Sequence, residues 1–152
     1  MRIEVKNKKE INTYLLNYNK RIISALIYGL EYLIAELSNH AKSNAGYQDR
    51  TSNLKSSIGG MVLQDGKPVT YRGFESEGSA DIGSQTGLEF INSLIKDYSQ
   101  GLVIIVVAGM DYATYVENYY GLNVLKKTEL RMQTELPKML NLIKKRIENA
   151  NN

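Results

Sequence analysis

Side chains that carry chemistry are scarce in this chain, and their spacing does not assemble a site. The single histidine is His40, and there is no cysteine. Zinc at His40 would therefore need a set of carboxylates. Glu36 lies one helical turn before it and offers at most a weak pair, so a solvated histidine near a helix end is expected. A Ser–His–Asp site would have to use His40 as its base, and no serine sits in a Gly-x-Ser-x-Gly step. Asp111 and Glu117 flank residues 112–116 and come nearest to an acid–base pair, but exposed turn acids are the expectation. Residues 73–87 are glycine-rich without a Gly-Lys-Ser/Thr or Gly-x-Gly-x-x-Gly step. Their acids Glu75, Glu77 and Asp81 would repel a phosphate and do not have the spacing of a calcium loop. No catalytic, cofactor-binding or metal-binding residue is assigned, and the chain is expected not to be an enzyme.

The bulk composition agrees with a structural role. The 152 residues suffice for one domain with one core, and 43% hydrophobic with 23% charged residues is ordinary for a globular chain. The formal net charge of +3 is too small to argue for nucleic acid by itself. Residues 1–10 are charged and do not read as a secretory signal. The longest apolar stretch, 102–110, is far short of a bilayer span, so no membrane crossing is expected. Eleven tyrosines stand beside two phenylalanines and no tryptophan. Tyrosine suits the half-buried edge of a core first, and a surface that closes on assembly second.

The elements that would position any site follow from periodicity. Ile11, Leu15, Tyr18, Ile22, Ala25, Leu26, Gly29, Leu33 and Leu37 recur at three and four, which predicts a helix over 9–43. Tyr14, Tyr28 and Tyr32 widen its stripe, so it is expected to be covered on more than one side. Its length leaves two options, a break near Gly29 or a projection used in assembly. Residues 51–58 predict one or two helical turns capped by Thr51 or Ser52, with Leu54 and Ile58 inward and Gly59-Gly60 as the stop. A hairpin is expected from residue 61 to 72 around Asp65-Gly66. Residues 73–87 read as a flexible loop, and 88–98 as a helix capped by Thr86 with Glu89 three residues on. The β-branched run 102–108 predicts a strand buried on both faces, as a central strand is. A short helix or turn over 112–120 follows. The last helix, 123–149, carries Pro137 as a kink or fresh start, and the tail 148–152 is expected to fray. The fold class is α+β: one domain, with a small antiparallel sheet packed against a long N-terminal helix and a C-terminal helix.

Basic residues gather in two places. Lys6, Lys8, Lys9, Lys20 and Arg21 lie early; Lys126, Lys127, Arg131, Lys138, Lys144, Lys145 and Arg146 lie along the last helix. A solvated face balanced by Glu129, Glu135 and Glu148 is the first reading. The alternative is a small DNA-binding or regulatory protein that reads phosphates without sequence preference.

Two short steps are more specific than any of these features. Thr51, Leu54, Ser57 and Ile58 match a Thr-Gly-x-Leu-x-x-Ser-Ile step before the first strands. Tyr112, Ala113, Tyr115, Val116 and Glu117 match a Tyr-Ala-x-Tyr-Val-Glu step after a later strand. In this the chain resembles the head–tail connector and tail-completion (neck) proteins of long-tailed bacteriophages. It departs from them at Ser52, where the step carries glycine, and after Glu117, where residues 118–121 replace a glycine-threonine pair. The stretch 73–100 is also longer than a minimal member needs. Leu54 and Ile58 are expected to plug the core from one helical face, and Tyr112, Tyr115 and Val116 to pack under the sheet. Glu117 is expected to pair with a basic group of its own chain or a neighbour. The resemblance implies a virion protein assembled in the host cytoplasm, a sixfold or twelvefold homo-oligomeric ring at the head–tail junction or the head-proximal end of the tail. It implies portal, adaptor or tail-tube proteins as partners, no cofactor, and no membrane. Genomic DNA would pass through without sequence-specific binding, and Lys126, Lys127, Arg131, Lys144 and Lys145 are the residues placed toward it.

Overall fold

The computed structural model describes residues 8–43, 46–47, 50–75, 82–119 and 121–150. Five helices and three strands follow one another as α1 (Lys8–Ser43), α2 (Asn53–Ser56), β1 (Ile58–Gln64), β2 (Lys67–Gly73), α3 (Ile82–Ser93), β3 (Leu102–Ala108), α4 (Ala113–Tyr119) and α5 (Lys126–Asn149). A single 3₁₀ turn at Ile95–Asp97 joins α3 to β3. The three strands form one antiparallel sheet in the order β2-β1-β3. The architecture is α+β, with the small sheet packed against the long first helix and the last helix.

The sheet divides the core into three clusters. On one face Val62 packs with Leu30 and Ile34 of α1, joined by Ile104, Val106, Leu136 and Met139. On the other face Met61, Leu63 and Val107 pack with Ile91 of α3 and Phe74. At the end where β1 begins, Ile58 meets Ala41, Leu54, Ala113 and Val124. Alternation along β1 thus feeds both faces, as period two requires. The hairpin turn is Asp65-Gly66, both residues at positive φ (50° and 75°), the pattern of a two-residue hairpin turn.

The helix α1 is continuous through Gly29, so the break does not occur. Its 36 residues reach about 54 Å. The half from Leu30 to Ala41 lies on the sheet, whereas Ile11, Tyr14, Leu15 and Leu16 are exposed. The helix α5 runs antiparallel beside it: Thr128 meets His40, Arg131 meets Glu36, and Met139 and Ile143 crowd Gly29. It passes Pro137 as one helix. The expectation that no segment is long and apolar enough to cross a bilayer rested on unbroken apolar runs. It does not hold for α1, which contains an 18-residue window of mean hydropathy 1.2. Leu30 and Ile34 are buried against the sheet and α5, whereas Tyr28 and Tyr32 are exposed, so the side of the stripe that these tyrosines widen is not covered as expected.

Several local expectations are corrected. Ile58 is the first residue of β1 and not the end of a helical turn, and Gly59-Gly60 lie inside the strand. Glycine can be tolerated there because another group comes close: a Cβ on Gly59 would collide with the Phe74 ring. The loop assigned to 73–87 ends by Ile82, where α3 begins; residues 76–81 lie outside the described residues. Thr86 is therefore inside the helix and not its cap, donating its hydroxyl to the Ile82 carbonyl at 2.8 Å. The strand β3 is an edge strand, half-buried for most of its length. The central strand is β1, the first strand of the expected hairpin, which pairs with β2 on one side and β3 on the other. The helix α5 extends to Asn149, so the fraying expected from 148 does not begin there.

Candidate functional site

The two sequence steps converge on one end of the sheet. From the first, Leu54 is 2% exposed and Ile58 0%. They meet in one cluster, although one comes from a helix and the other from a strand. Ser57 is buried; its hydroxyl donates to the Leu54 carbonyl at 2.8 Å, and its own carbonyl accepts the Gly109 amide at 3.1 Å. Thr51 is exposed, and Ser52 precedes α2 without a side-chain capping bond, so neither caps as expected.

In the second step the inward side chains are Ala113 and Val116, both in the Leu54–Ile58 cluster. Tyr112 and Tyr115 point outward, 40% and 52% exposed, contrary to the expectation that they pack under the sheet. Tyr115 instead stacks on Tyr119 one turn along, with ring centroids 4.9 Å apart and planes 13° from parallel.

Among the described residues Glu117 pairs with no basic side chain of its own chain. It accepts the Leu125 amide at 2.6 Å and the Lys126 amide at 3.3 Å, the two amides that open α5. The first amides of a helix lack partners within it, and the helix dipole favours negative charge there. Leu125 cannot supply a cap from its own side chain, so α4 supplies one across the loop. Glu117→Ala should lower stability by about 2 kcal/mol, because it removes two charge-assisted bonds. Glu117→Gln should recover roughly half of that, since it keeps an acceptor and loses the charge. Urea unfolding of the three proteins checks both values.

His40 sits against α5, its Nδ1 3.1 Å from the Thr128 hydroxyl. Burial, with the nearby Arg131, holds its pKa below 6.5, and Glu36 only partly opposes this. Glu36, which acts on His40, also accepts the Arg131 Nε at 3.0 Å. The folded state thus prefers neutral His40. Its contribution is fully present above 6.5 and is lost as pH falls through the depressed folded value. The melting temperature should decline from pH 7 toward pH 5. A His40→Gln protein should lose that part of the slope.

Of the residues placed toward DNA, all five lie exposed on α5. Arg131 is paired with Glu36, Lys138 with Glu135 at 3.0 Å, and Lys144 with Glu148 at 3.9 Å. A row neutralised at these points grips phosphate less than its lysine count implies. Glu75 pairs with Lys42 at 3.2 Å, while Glu77 and Asp81 lie outside the described residues. Among the described residues there is no group of three or more His, Asp or Glu placed to hold a metal ion.

One feature escaped the sequence. A groove of about 710 Å³ runs along β3 between Phe90 of α3 and Val124, Leu125 and Met132 near α5. Its floor includes Ile104 and Val106, and its charged residues are Asp111, Glu117, Lys126 and Glu129. Periodicity locates strands but not which of them is an edge, and the groove exists only because β3 is one. No protein-family model, curated protein or solved structure matches the chain.

Proposed function

We propose that this chain is a structural subunit of a ring at the head–tail junction, or at the head-proximal end of the tail, of a long-tailed bacteriophage. The observation that carries the reading is Ser52. The resembled step has glycine at this position, and Ser52 has φ 60°, the left-handed region that glycine adopts most readily. A serine here adopts the backbone that the motif's glycine would favour. Leu54 and Ile58 of the first step and Ala113 and Val116 of the second meet in one cluster, and Glu117 accepts the amides that open the last helix. Exposed aromatic and aliphatic side chains on the projecting half of α1 and on α4 give such a subunit surfaces to bury against neighbours.

Ser52→Gly should stabilise the chain by about 0.5 kcal/mol, the relief of left-handed strain less the entropy of glycine. Ser52→Val should destabilise it by more than 1 kcal/mol in order of magnitude. Chemical denaturation measures both. The function itself is tested by the mass of the purified protein across a concentration series, alone and with portal or tail particles. A discrete ring or incorporation into particles is the expected result. A monomer that joins no particle sinks the reading.

A further inference from the structure

The geometry points to strand donation between copies: residues 1–7 of one subunit add to the open edge of β3 in the next, filling the groove beside it. This rests on the ring reading and names the contact that closes the ring.

The acceptor is unusual for a sheet edge. Among the described residues β3 pairs only with β1, and its other side has no strand. Edges are normally protected by charge, proline or a bulge. Here the edge reads LVIIVVA, with no charge and no proline, and its pairing with β1 is in unbroken register. The adjoining groove offers Leu37, Ile104, Val106 and Met132 to apolar side chains. An extended segment beside such an edge gains main-chain bonds from the strand and side-chain burial from the groove.

The donor is legible in the sequence. Residues 1–7 read MRIEVKN, with Met1, Ile3 and Val5 alternating with Arg2, Glu4 and Lys6. Strict alternation is the pattern of a strand with one face buried. Seven residues match the seven of β3. Charge also agrees. The groove carries Asp111, Glu117 and Glu129 against Lys126, while the segment carries Arg2 and Lys6 against Glu4.

Reach decides that the contact is between copies. The segment joins the structure at Lys8, and the only α1 residue lining the groove is Leu37. Twenty-nine helical residues separate them, about 43 Å along the axis, and even Leu30, in the cluster that Leu102 and Ile104 of β3 join, is twenty-two residues or about 33 Å from Lys8. Seven extended residues span at most about 25 Å. The segment cannot return to its own β3. A contact of this kind is heterologous, with donor and acceptor on different surfaces, so it propagates until rotation closes it.

The test compares the full chain with an Ile3→Asp/Val5→Asp variant, which puts two charges on the apolar face of the donor. Mass in solution and amide hydrogen exchange are read on both. The expected result is an oligomer for the full chain and a monomer for the variant. The β3 amides should exchange about tenfold or more faster in the variant, while those of α1 and α3 keep their rates. A synthetic peptide of residues 1–7 should slow β3 exchange again when added to the variant. An oligomer that survives the substitutions with β3 exchange unchanged overturns strand donation and leaves the ring reading standing. A full-length monomer that joins no particle overturns both.

Discussion

Gly87→Val should destabilise the protein by about 3 kcal/mol and cut its yield of folded material. Gly87 lies in α3 where that helix crosses the ends of β1 and β3. A Cβ built on it would stand 2.5 Å from the Ser57 carbonyl oxygen and 2.8 Å from the Phe74 ring. The ring could tilt, but Ser57 O cannot yield. It is main chain, held by the Gly109 amide at 3.1 Å, and Gly109 itself approaches Gly87 backbone to backbone. Even Gly87→Ala should cost about 2 kcal/mol, although alanine is the better helix former. Gly101 is the control: a Cβ there meets nothing within 4 Å, so only its φ of 78° resists substitution. Thermal melts of the three variants separate crowding from backbone conformation.

That crossing also explains where sequence reading succeeded and where it failed. In the sequence Gly83 and Gly87 stand with Gly73 and Gly78 in a stretch that reads as a flexible loop, because glycine is the residue of loops. In the structure Gly83 and Gly87 are contact residues on a helix, and Gly83 lies against the Asn53 main chain of α2. Composition cannot distinguish a glycine needed for freedom from one needed for closeness; only the partner segment can. The same limit hid the start of β1. The hairpin expected over 61–72 is present, but the strand begins at Ile58 and runs through Gly59-Gly60, where Phe74 and Ile105 come in where side chains would be. Long amphipathic signals carried through: the stripes of α1 and α5 predicted both helices nearly to the residue, because a stripe repeated over many turns leaves one solution. Edge against centre was illegible, and so the groove along β3 was too. The run 102–108 is apolar throughout, which fits a strand with both faces covered by helices whether or not a third strand lies beyond it.

The role of Glu117 was misread for a related reason. A carboxylate after a short helix has lysines nearby in sequence, and pairing with one is the obvious guess. What binds it is the start of α5, eight residues on, through main-chain amides that no side-chain pattern announces. Its neighbours in the same step divide cleanly by period: Ala113 and Val116 turn inward, and Tyr112, Tyr115 and Tyr119 outward. Those outward tyrosines are exposed, while Ala113, Thr114, Glu117 and Asn118 are the α4 residues that line the groove.

Leu54→Ala should lower stability by about 3 kcal/mol, which for a chain of this size moves the melting temperature by roughly 10 °C. Leu54 is 2% exposed and among the largest side chains with almost no contact with solvent. It stands at the meeting of α1, α2, β1, α4 and the turn into α5, through Ala41, Ile58, Ala113 and Val124. Ala41, Ile58 and Ala113 are held by main chain that is bonded elsewhere, so the cavity left by truncation cannot collapse readily, and the cost should approach the upper part of the usual range. The consequence for function follows from the same geometry. The cluster joins the element that begins the central strand to the element that caps α5, so loosening it should free α5 before the sheet. Hydrogen exchange on Leu54→Ala should therefore show faster amides over Lys126–Asn149 while β1 keeps its protection. Combining Leu54→Ala with Val116→Ala should cost less than the sum of the two by 0.5 kcal/mol or more in order of magnitude, because both open the same cluster. Strict additivity would mean that the two sequence steps do not share a structural unit. The inference that they form one framework, on which the ring reading leans, would then lose its footing.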